Sequence, residues 1–403
     1  MRALLSTIGS RGDVQPLVAL AMELRAHGAD VRLCVPPDFR EWIESLGIPV
    51  VTIGPVLRAT ALAAPSTPSP SPERVRELAD ATVAAQFETI LAAAERCDVI
   101  VAATALQIAA RSVAEHLGIG YHFVAYCPAV LPSPHHAPPP LSHHGDVPDP
   151  PRSEFAALWR RDGERFGALF GATLDAHRSR LGLPPVDDVR RHVLTDRPWL
   201  AADATLAPWP DEDAGVVQTG AWIVPDSRPL SPAVERFLDA GAPPVYFGFG
   251  SMRAPTTLGR AMVDAARAVG RRAIVSRGWA ELSVGDDADD GLAIDEVNQQ
   301  ALFARVPAVV HHGGAGTTTA AARAGAPQVV VPQLYDQHYW AGRVRELGIG
   351  IAHAPGTPTA ESLASALALA LEGHASTRAR ALSTAVRDDG ARIAARLLLE
   401  RGR

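Results

Sequence analysis

The chain has 403 residues, of which 47% are hydrophobic and 20% charged, enough apolar content to fill two domain cores. Its formal charge of −6 provides no basic face for a phosphate backbone, so nucleic acid is not an expected partner. All 38 Lys+Arg residues are arginine, which excludes a P-loop lysine and any Schiff-base amine.

The first residues lack the apolar run of a signal peptide and lead directly into a strand over residues 3–6. Gly9-Ser10-Arg11-Gly12-Asp13 follows, and residues 14–27 then place Leu17, Leu20, Ala21 and Leu24 at helical spacing up to Gly28. Asp13 is expected at the N-cap, where its carboxylate accepts a backbone N–H. The same position puts that carboxylate beyond the end of a strand, where it can take a proton from an attacking hydroxyl if one oxygen stays free. The loop is not GxGxxG and no acid matches on the second strand, which argues against a nicotinamide site. Runs at 31–35, 50–53, 99–102 and 122–125 repeat the strand signal. Cys34, Cys97 and Cys127 lie far apart without CxxC spacing and read as buried, reduced thiols.

Proline density at 65–72 and 128–151 rules out long helices or central strands there. These segments read either as lids over an acceptor or as variable surface loops. His135, His136, His143 and His144 have no ordered element to hold metal-ligand geometry, so no metal is assigned to them. The stretch 198–229, rich in Pro and Asp and carrying Trp199, Trp209 and Trp222, reads as an interdomain connector. Asp211-Glu212-Asp213 and Asp287-Ala288-Asp289 match a metal-binding DxD only in letters and read as solvated charge.

In the second half, strands are expected at 245–249, 272–276, 291–294, 308–310 and 329–331. Strands alternating with helices predict an α/β chain of two Rossmann-like domains, whose parallel sheets face each other across a cleft. Gly250 and Ser251 end the first of these strands and offer backbone to a phosphate; Trp279 and Val297 are placed to flank a nucleobase, with core packing an equal reading for the Trp. His311 and His312 end a later strand, and Gly313, Gly314, Ala315 and Gly316 make a turn tight enough to aim N–H groups outward. Thr317 adds a hydroxyl as the helix begins, and the helix N-terminus stabilises a phosphate without a metal or other cofactor. After the next strand, Asp336 and Gln337 carry acceptors and donors suited to sugar hydroxyls. Phosphate first and sugar second is the order of a nucleotide-sugar donor, which leaves the first domain for an acceptor.

GSRGD at 9–13, CVPPD at 34–38, GLPPV at 182–186, DRPWLAAD at 196–203, VQTGAWI at 217–223, FGFGS at 247–251, EVNQQ at 296–300, HHGGAGTTT at 311–319 and DQHY at 336–339 form a set covering nearly the whole chain. Together they resemble the glycosyltransferases that decorate vancomycin-group glycopeptide antibiotics, members of the two-domain GT-B glycosyltransferases. The resemblance implies an acceptor domain over 1–200, a linker over 201–229, a donor domain over 230–380, and a C-terminal helix over 381–403 that returns to the first domain. It implies inverting, metal-independent transfer from a UDP- or TDP-sugar to a hydroxyl of a crosslinked heptapeptide aglycone, by a cytoplasmic enzyme with no membrane span. Asp13 is then the base, Ser10 and Arg11 are its cleft-facing neighbours, His312 with Gly314, Ala315, Gly316 and Thr317 holds the pyrophosphate, and Asp336 with Gln337 holds the sugar. CPAVLPSPHHAPPPLS at 127–142 resembles the branch that adds the first hexose to a phenolic hydroxyl. His338 and Trp340 stand where DQPYYA is expected, which leaves the sugar open. Another natural product such as a polyketide as acceptor, a sugar-nucleotide epimerase of the same fold, and a noncatalytic partner remain as alternatives; turnover without aglycone would mark the epimerase.

Overall fold

The short apolar runs become strands because helices cover both of their faces. In the computed structural model, which describes residues 1–62, 71–140, 150–211, 215–286 and 288–401, β1 (Arg2–Ser6), β2 (Asp30–Val35), β3 (Val50–Thr52), β4 (Val99–Ala103), β5 (Gly120–Ala125), β6 (Trp199–Leu200) and β7 (Val217–Gln218) form one sheet in the order β3-β2-β1-β4-β5-β6-β7. A second sheet, ordered β10-β9-β8-β11-β12-β13, contains β8 (Val245–Gly248), β9 (Ala273–Ser276), β10 (Gly291–Ile294), β11 (Val309–His311), β12 (Gln328–Val330) and β13 (Gly350–Ala352). All pairings are parallel. Alternation along β1 shows the two-sided burial: Leu4 packs with Val83 and Phe87 of the helix Pro72–Ala93, whereas Ala3 and Leu5 pack with Leu17 and Leu20 of the helix Arg11–Ala26.

Strand order reverses between β1 and β4 in the first sheet and between β8 and β11 in the second. Crevices open beyond the carboxyl ends of strands at such reversals, and there an α/β sheet places its ligands. The turn 9–13 leaves β1 at the first reversal, and the turns 249–251 and 312–314 leave β8 and β11 at the second.

Three expectations change. The first helix begins at Arg11, with Ser10 as its N-cap, so Asp13 is its third residue and not the cap. The stretch 201–229 is not only a connector: β7 within it pairs with β6 in the first sheet, and Trp222 is buried edge-on to Trp199 at 6.4 Å. The crossing helix starts later than 381: Gly373–Ser383 stays against Ala315–Arg323 of the second domain, and Gly390–Arg401 crosses to pack Ala391, Ala394, Ala395 and Leu398 against the first helix. The 384–389 break between them is anchored by Arg387 N, which donates to Asp203 Oδ2 at 2.9 Å.

The sequence reading did not place the long helices Pro72–Ala93 and Phe155–Arg180. A start signal for the former is present in Ser71-Pro72, where Ser71 Oγ accepts Arg74 N at 3.2 Å and Pro72 fills the first helical position. Of the proline-rich segments, residues 65–70 and 141–149, with His143 and His144, lie outside the described residues, as do 212–214 and 287 of the two acidic stretches. The described part, 128–140, carries only the short turn Pro128–Val130. The three cysteines are buried and unpaired, and no described helix is long and apolar enough to cross a membrane.

Candidate active site

The turn after β1 is shaped around its carboxylate. Asp13 Oδ2 accepts Ser10 N at 2.7 Å and Ser10 Oγ at 3.3 Å, so the third residue of the helix folds its carboxylate back onto the N-cap residue. Both bonds fall on one oxygen, so Oδ1 accepts from no other described residue. A side chain at Gly9 would overlap the Asp13 carboxyl group, so the carboxylate can fold back only over a glycine. Tyr126, just past β5, donates its hydroxyl to Asp13 O at 2.9 Å and pins the turn from the neighbouring strand. Burial raises the Asp13 pKa above the ordinary carboxylate value, and the Ser10 bonds act in the opposite sense.

The turn after β11 is made of backbone. Gly313 has φ +97°, and a Cβ there would lie 2.9 Å from Val330 Cγ1 and 3.0 Å from Gln337 O. Only glycine suits both the conformation and the space. Gly314 is the N-cap of Ala315–Arg323 and no side chain caps it. The N–H groups of Ala315, Gly316 and Thr317 therefore open this helix without intrahelical partners. Thr318 and Thr319 turn their hydroxyls back to Gly314 O and Ala315 O, whereas Thr317 Oγ1 makes no hydrogen bond among the described residues.

The two histidines differ in role. His311 Nδ1 accepts Gly313 N at 3.1 Å, so its Nε2 donates to Gln328 Oε1 at 2.9 Å. With both nitrogens used and the ring fully buried, its pKa pushed down to about 3 by burial, His311 shapes the turn and does not reach the cleft. The donor contact expected of it is corrected on that ground. His312 lies over the turn: a Cβ at Gly314 would come within 2.8 Å of its Nε2, and one at Gly250, where φ is +56°, within 3.3 Å of its Cε1. Burial pushes its pKa down to about 4, so the ring is neutral at pH 7. Gly250 O accepts Trp279 N at 2.9 Å, which brings the turn bearing Gly250 and half-buried Ser251 against the β9 turn.

Beyond β12, Tyr335 holds a left-handed φ of +55° and donates its N–H to Pro140 O of the first domain at 3.1 Å. Asp336 follows as the N-cap of Gln337–Glu346. Its pKa is pushed up to about 7, by burial first and by the charge of Asp13 across the cleft second. Gln337 is buried, its Oε1 accepting Gln333 N at 2.9 Å and Leu334 N at 3.3 Å, and its Nε2 meeting Met252 Sδ at 3.3 Å. The amide read as a sugar contact braces the turn that carries Asp336.

Arg11, Trp279 and Val297 also differ from expectation. Arg11 Nη1 pairs with Glu296 Oε1 of the second domain at 2.6 Å, and its guanidinium lies 4.2 Å over the Trp42 ring. Trp279 stacks on Phe39 of the first domain at 6.4 Å and 23°, so its ring serves the domain contact. Val297 packs partly buried on the second-domain core beside Asn298, whose Nδ2 clamps the backbone carbonyls of Asp226 and Arg228 at 2.9 and 2.7 Å. The importance of Gly9 and Glu296 was not recognised from sequence. Gly9 gives no signal apart from the turn it opens, and Glu296 is the residue before Val297, which was expected to flank a nucleobase.

Residues 3–132 match the family 28 glycosyltransferase N-terminal domain, and residues 275–394 match the C-terminal domain of erythromycin biosynthesis protein CIII-like proteins. Over 99% of this chain and 97% of the relative, the sequence is 53% identical to glycosyltransferase GtfE of Amycolatopsis orientalis. It is 51% identical, over the same shares, to vancomycin aglycone glucosyltransferase of that organism, and 44% identical, over 94% of this chain and 92% of the relative, to its dTDP-epi-vancosaminyltransferase. The chain belongs to the vancomycin-group glycosyltransferases. The fold of this glycosyltransferase is GT-B: it overlays the glycotransferase of kitacinnamycin with a TM-score of 0.71 at 20% identity, over 99% of this chain and 98% of the other. The calicheamicin glycosyltransferase CalG4 gives 0.70 at 18%, over 100% and 98%. At such identities the solved structures share the two-sheet scaffold, whereas the Amycolatopsis relatives carry the family assignment.

Proposed function

We propose that this glycosyltransferase moves a hexose from a UDP- or TDP-sugar to a phenolic hydroxyl of a vancomycin-type heptapeptide aglycone, with inversion and without a metal. The acceptor class is supported by the relatives named for the vancomycin aglycone and for epi-vancosamine transfer. The reading rests above all on one juxtaposition: a carboxylate whose Oδ1 accepts from no other described residue at the reversal point of one sheet, and a helix N-terminus without a side-chain cap at that of the other.

In this reading the acceptor oxygen attacks the anomeric carbon opposite the departing diphosphate, and Asp13 Oδ1 takes its proton. The anomeric C–O bond breaks through an oxocarbenium-like state and its electron pair leaves on the diphosphate. A single displacement inverts the centre. The N–H groups of Ala315, Gly316 and Thr317, the Thr317 hydroxyl and neutral His312 meet the charge that develops on the leaving group. Asp336 faces the sugar hydroxyls, held in place by Gln337.

The test is mass spectrometry of the purified enzyme with a glycopeptide aglycone and a panel of UDP- and TDP-sugars, with no metal added. One added hexose is expected from the wild type, with the rate in Asp13→Asn lower by about 10³-fold and nucleotide affinity retained. An unimpaired Asp13→Asn enzyme would remove the base, donor turnover without aglycone would favour an epimerase, and loss of product on chelation would end metal independence.

A further inference from the structure

The loop after β10 makes two kinds of contact at once. Asn298 Nδ2 bonds Asp226 O and Arg228 O, and Gln300 Nε2 bonds Val224 O at 2.8 Å, so the loop grips the segment that passes between the domains. Two residues before Asn298, Glu296 reaches across the cleft to Arg11 at 2.6 Å. Arg11 is the first residue of the helix that carries Asp13, and both lie in the same turn. The guanidinium lies over the Trp42 ring at 4.2 Å, is tied to Gln15 Oε1 through Nε at 3.3 Å, and is paired to Glu296. Arg228 and Asp226, at the gripped segment, act on Arg11 with opposite charge.

This chain of contacts runs from the interdomain segment, through a donor-domain loop, to the turn that bears the proposed base. A second pair crosses between the domains, Arg58 Nη2 to Glu281 Oε1 at 3.2 Å, but it lies far from the Asp13 turn in sequence and both its side chains are more than half exposed. The Arg11–Glu296 pair joins positions 285 apart in sequence, and a planar guanidinium stacked on an indole loses less freedom in forming it than a free arginine would.

We propose that Glu296 is a positioning residue for catalysis, fixing the Asp13 turn against the donor domain through Arg11 stacked on Trp42. The proposal rests on the reading of Asp13 as base. It gives the EVNQQ motif a mechanical role: the donor-domain loop that grips the interdomain segment through Asn298 and Gln300 also sets the distance from the base to the sugar. The pair is partly exposed, with side-chain accessibilities of 30% and 65%, so it is of modest strength and is screened by salt.

The experiment compares wild type, Glu296→Gln and Glu296→Asp in three readouts: turnover at saturating donor and acceptor, calorimetric affinity for UDP and TDP alone, and hydrogen exchange of the intact protein. Glu296→Gln should lower kcat about fivefold and leave nucleotide affinity within about twofold, because the charge pair is lost while the phosphate turn is untouched. Glu296→Asp should recover part of kcat, and raising the salt concentration should slow the wild type more than Glu296→Gln. Amides of residues 9–14 should exchange faster in Glu296→Gln, with those of 313–319 unchanged. Unchanged kcat, or an affinity for nucleotide that falls in step with it, overturns the proposal. So does unaltered exchange at 9–14. If the wild type transfers no sugar at all, the functional reading fails, and the exchange readout still decides whether Glu296 holds the turn.

Discussion

The turns after β1 and β11 have the same outline, a strand running into a glycine-containing turn and then a helix, yet they finish in opposite electrostatic states. In the first, a carboxylate folds back over the helix start, Asp13 Oδ2 accepting Ser10 N and Ser10 Oγ. In the second, Gly314 supplies no cap and the first N–H groups remain open. A helix N-terminus that already holds a carboxylate has little left for a phosphate, and one without a cap takes its anion from outside. The comparison separates the two halves of the proposed reaction: the closed turn presents a base, and the open turn receives a leaving group.

Glycine substitutions break the comparison most directly. At Gly313, φ is +97° and the space is filled by Val330 and Gln337, so Gly313→Ala should cost about 3 kcal/mol of stability and weaken nucleotide binding. Thermal unfolding and UDP calorimetry check both, and an unchanged midpoint would mean that the open turn tolerates a side chain. Gly9 has no such backbone demand; its neighbour is the Asp13 carboxyl group. Gly9→Ala should therefore lower kcat about 30-fold by displacing the base, with stability reduced by only about 1 kcal/mol and UDP affinity kept. Equal losses of kcat and nucleotide affinity would show that the two turns do not act separately.

A smaller effect sharpens the electrostatic side. The Asp336 pKa rises from its ordinary 3.8 to about 7, through burial and then the charge of Asp13. Its protonated form therefore favours the folded state, and that contribution, complete below 3.8, is lost as pH climbs to 7. Asp336→Asn cannot ionise, so its stability relative to wild type should grow with pH across that window. The gain should reach about 2 kcal/mol near pH 8 after allowance for partial exposure. Urea midpoints of both proteins at about pH 5 and pH 8 measure it. His311 and His312, shifted downward by burial, titrate in both proteins and largely cancel in the difference. A gap that does not vary with pH would mean that neither burial nor the Asp13 charge raises the Asp336 pKa.

Much of the fold was legible because buried parallel strands need unbroken apolar runs. The predicted runs correspond to β1 to β5 and β8 to β12 within a residue or two. The two-residue strands β6 and β7 were not, since segments that short carry no period and are extended only because the sheet edge beside them offers partners. In the site, the turn Gly313-Gly314-Ala315-Gly316 could be read at once, because close backbone approach demands glycine locally. The roles of His311, Gln337 and Arg11 could not. Each is a polar side chain able to face a ligand or the protein, and its sequence neighbours are the same in either case.

Residue order alone therefore settled the properties that depend on neighbours along the chain: which stretches are buried strands and where the backbone must turn on glycine. Tertiary structure decided the partners. It tied His311 to Gln328, directed Gln337 into its own turn, set Arg11 between Trp42 and Glu296, and gathered both Ser10 bonds on one oxygen of Asp13. The physical reason is range: propensity and backbone sterics act within a few residues, whereas a hydrogen bond or ion pair is made with whatever the folded chain brings within about 3 Å, here from as far as 285 positions away.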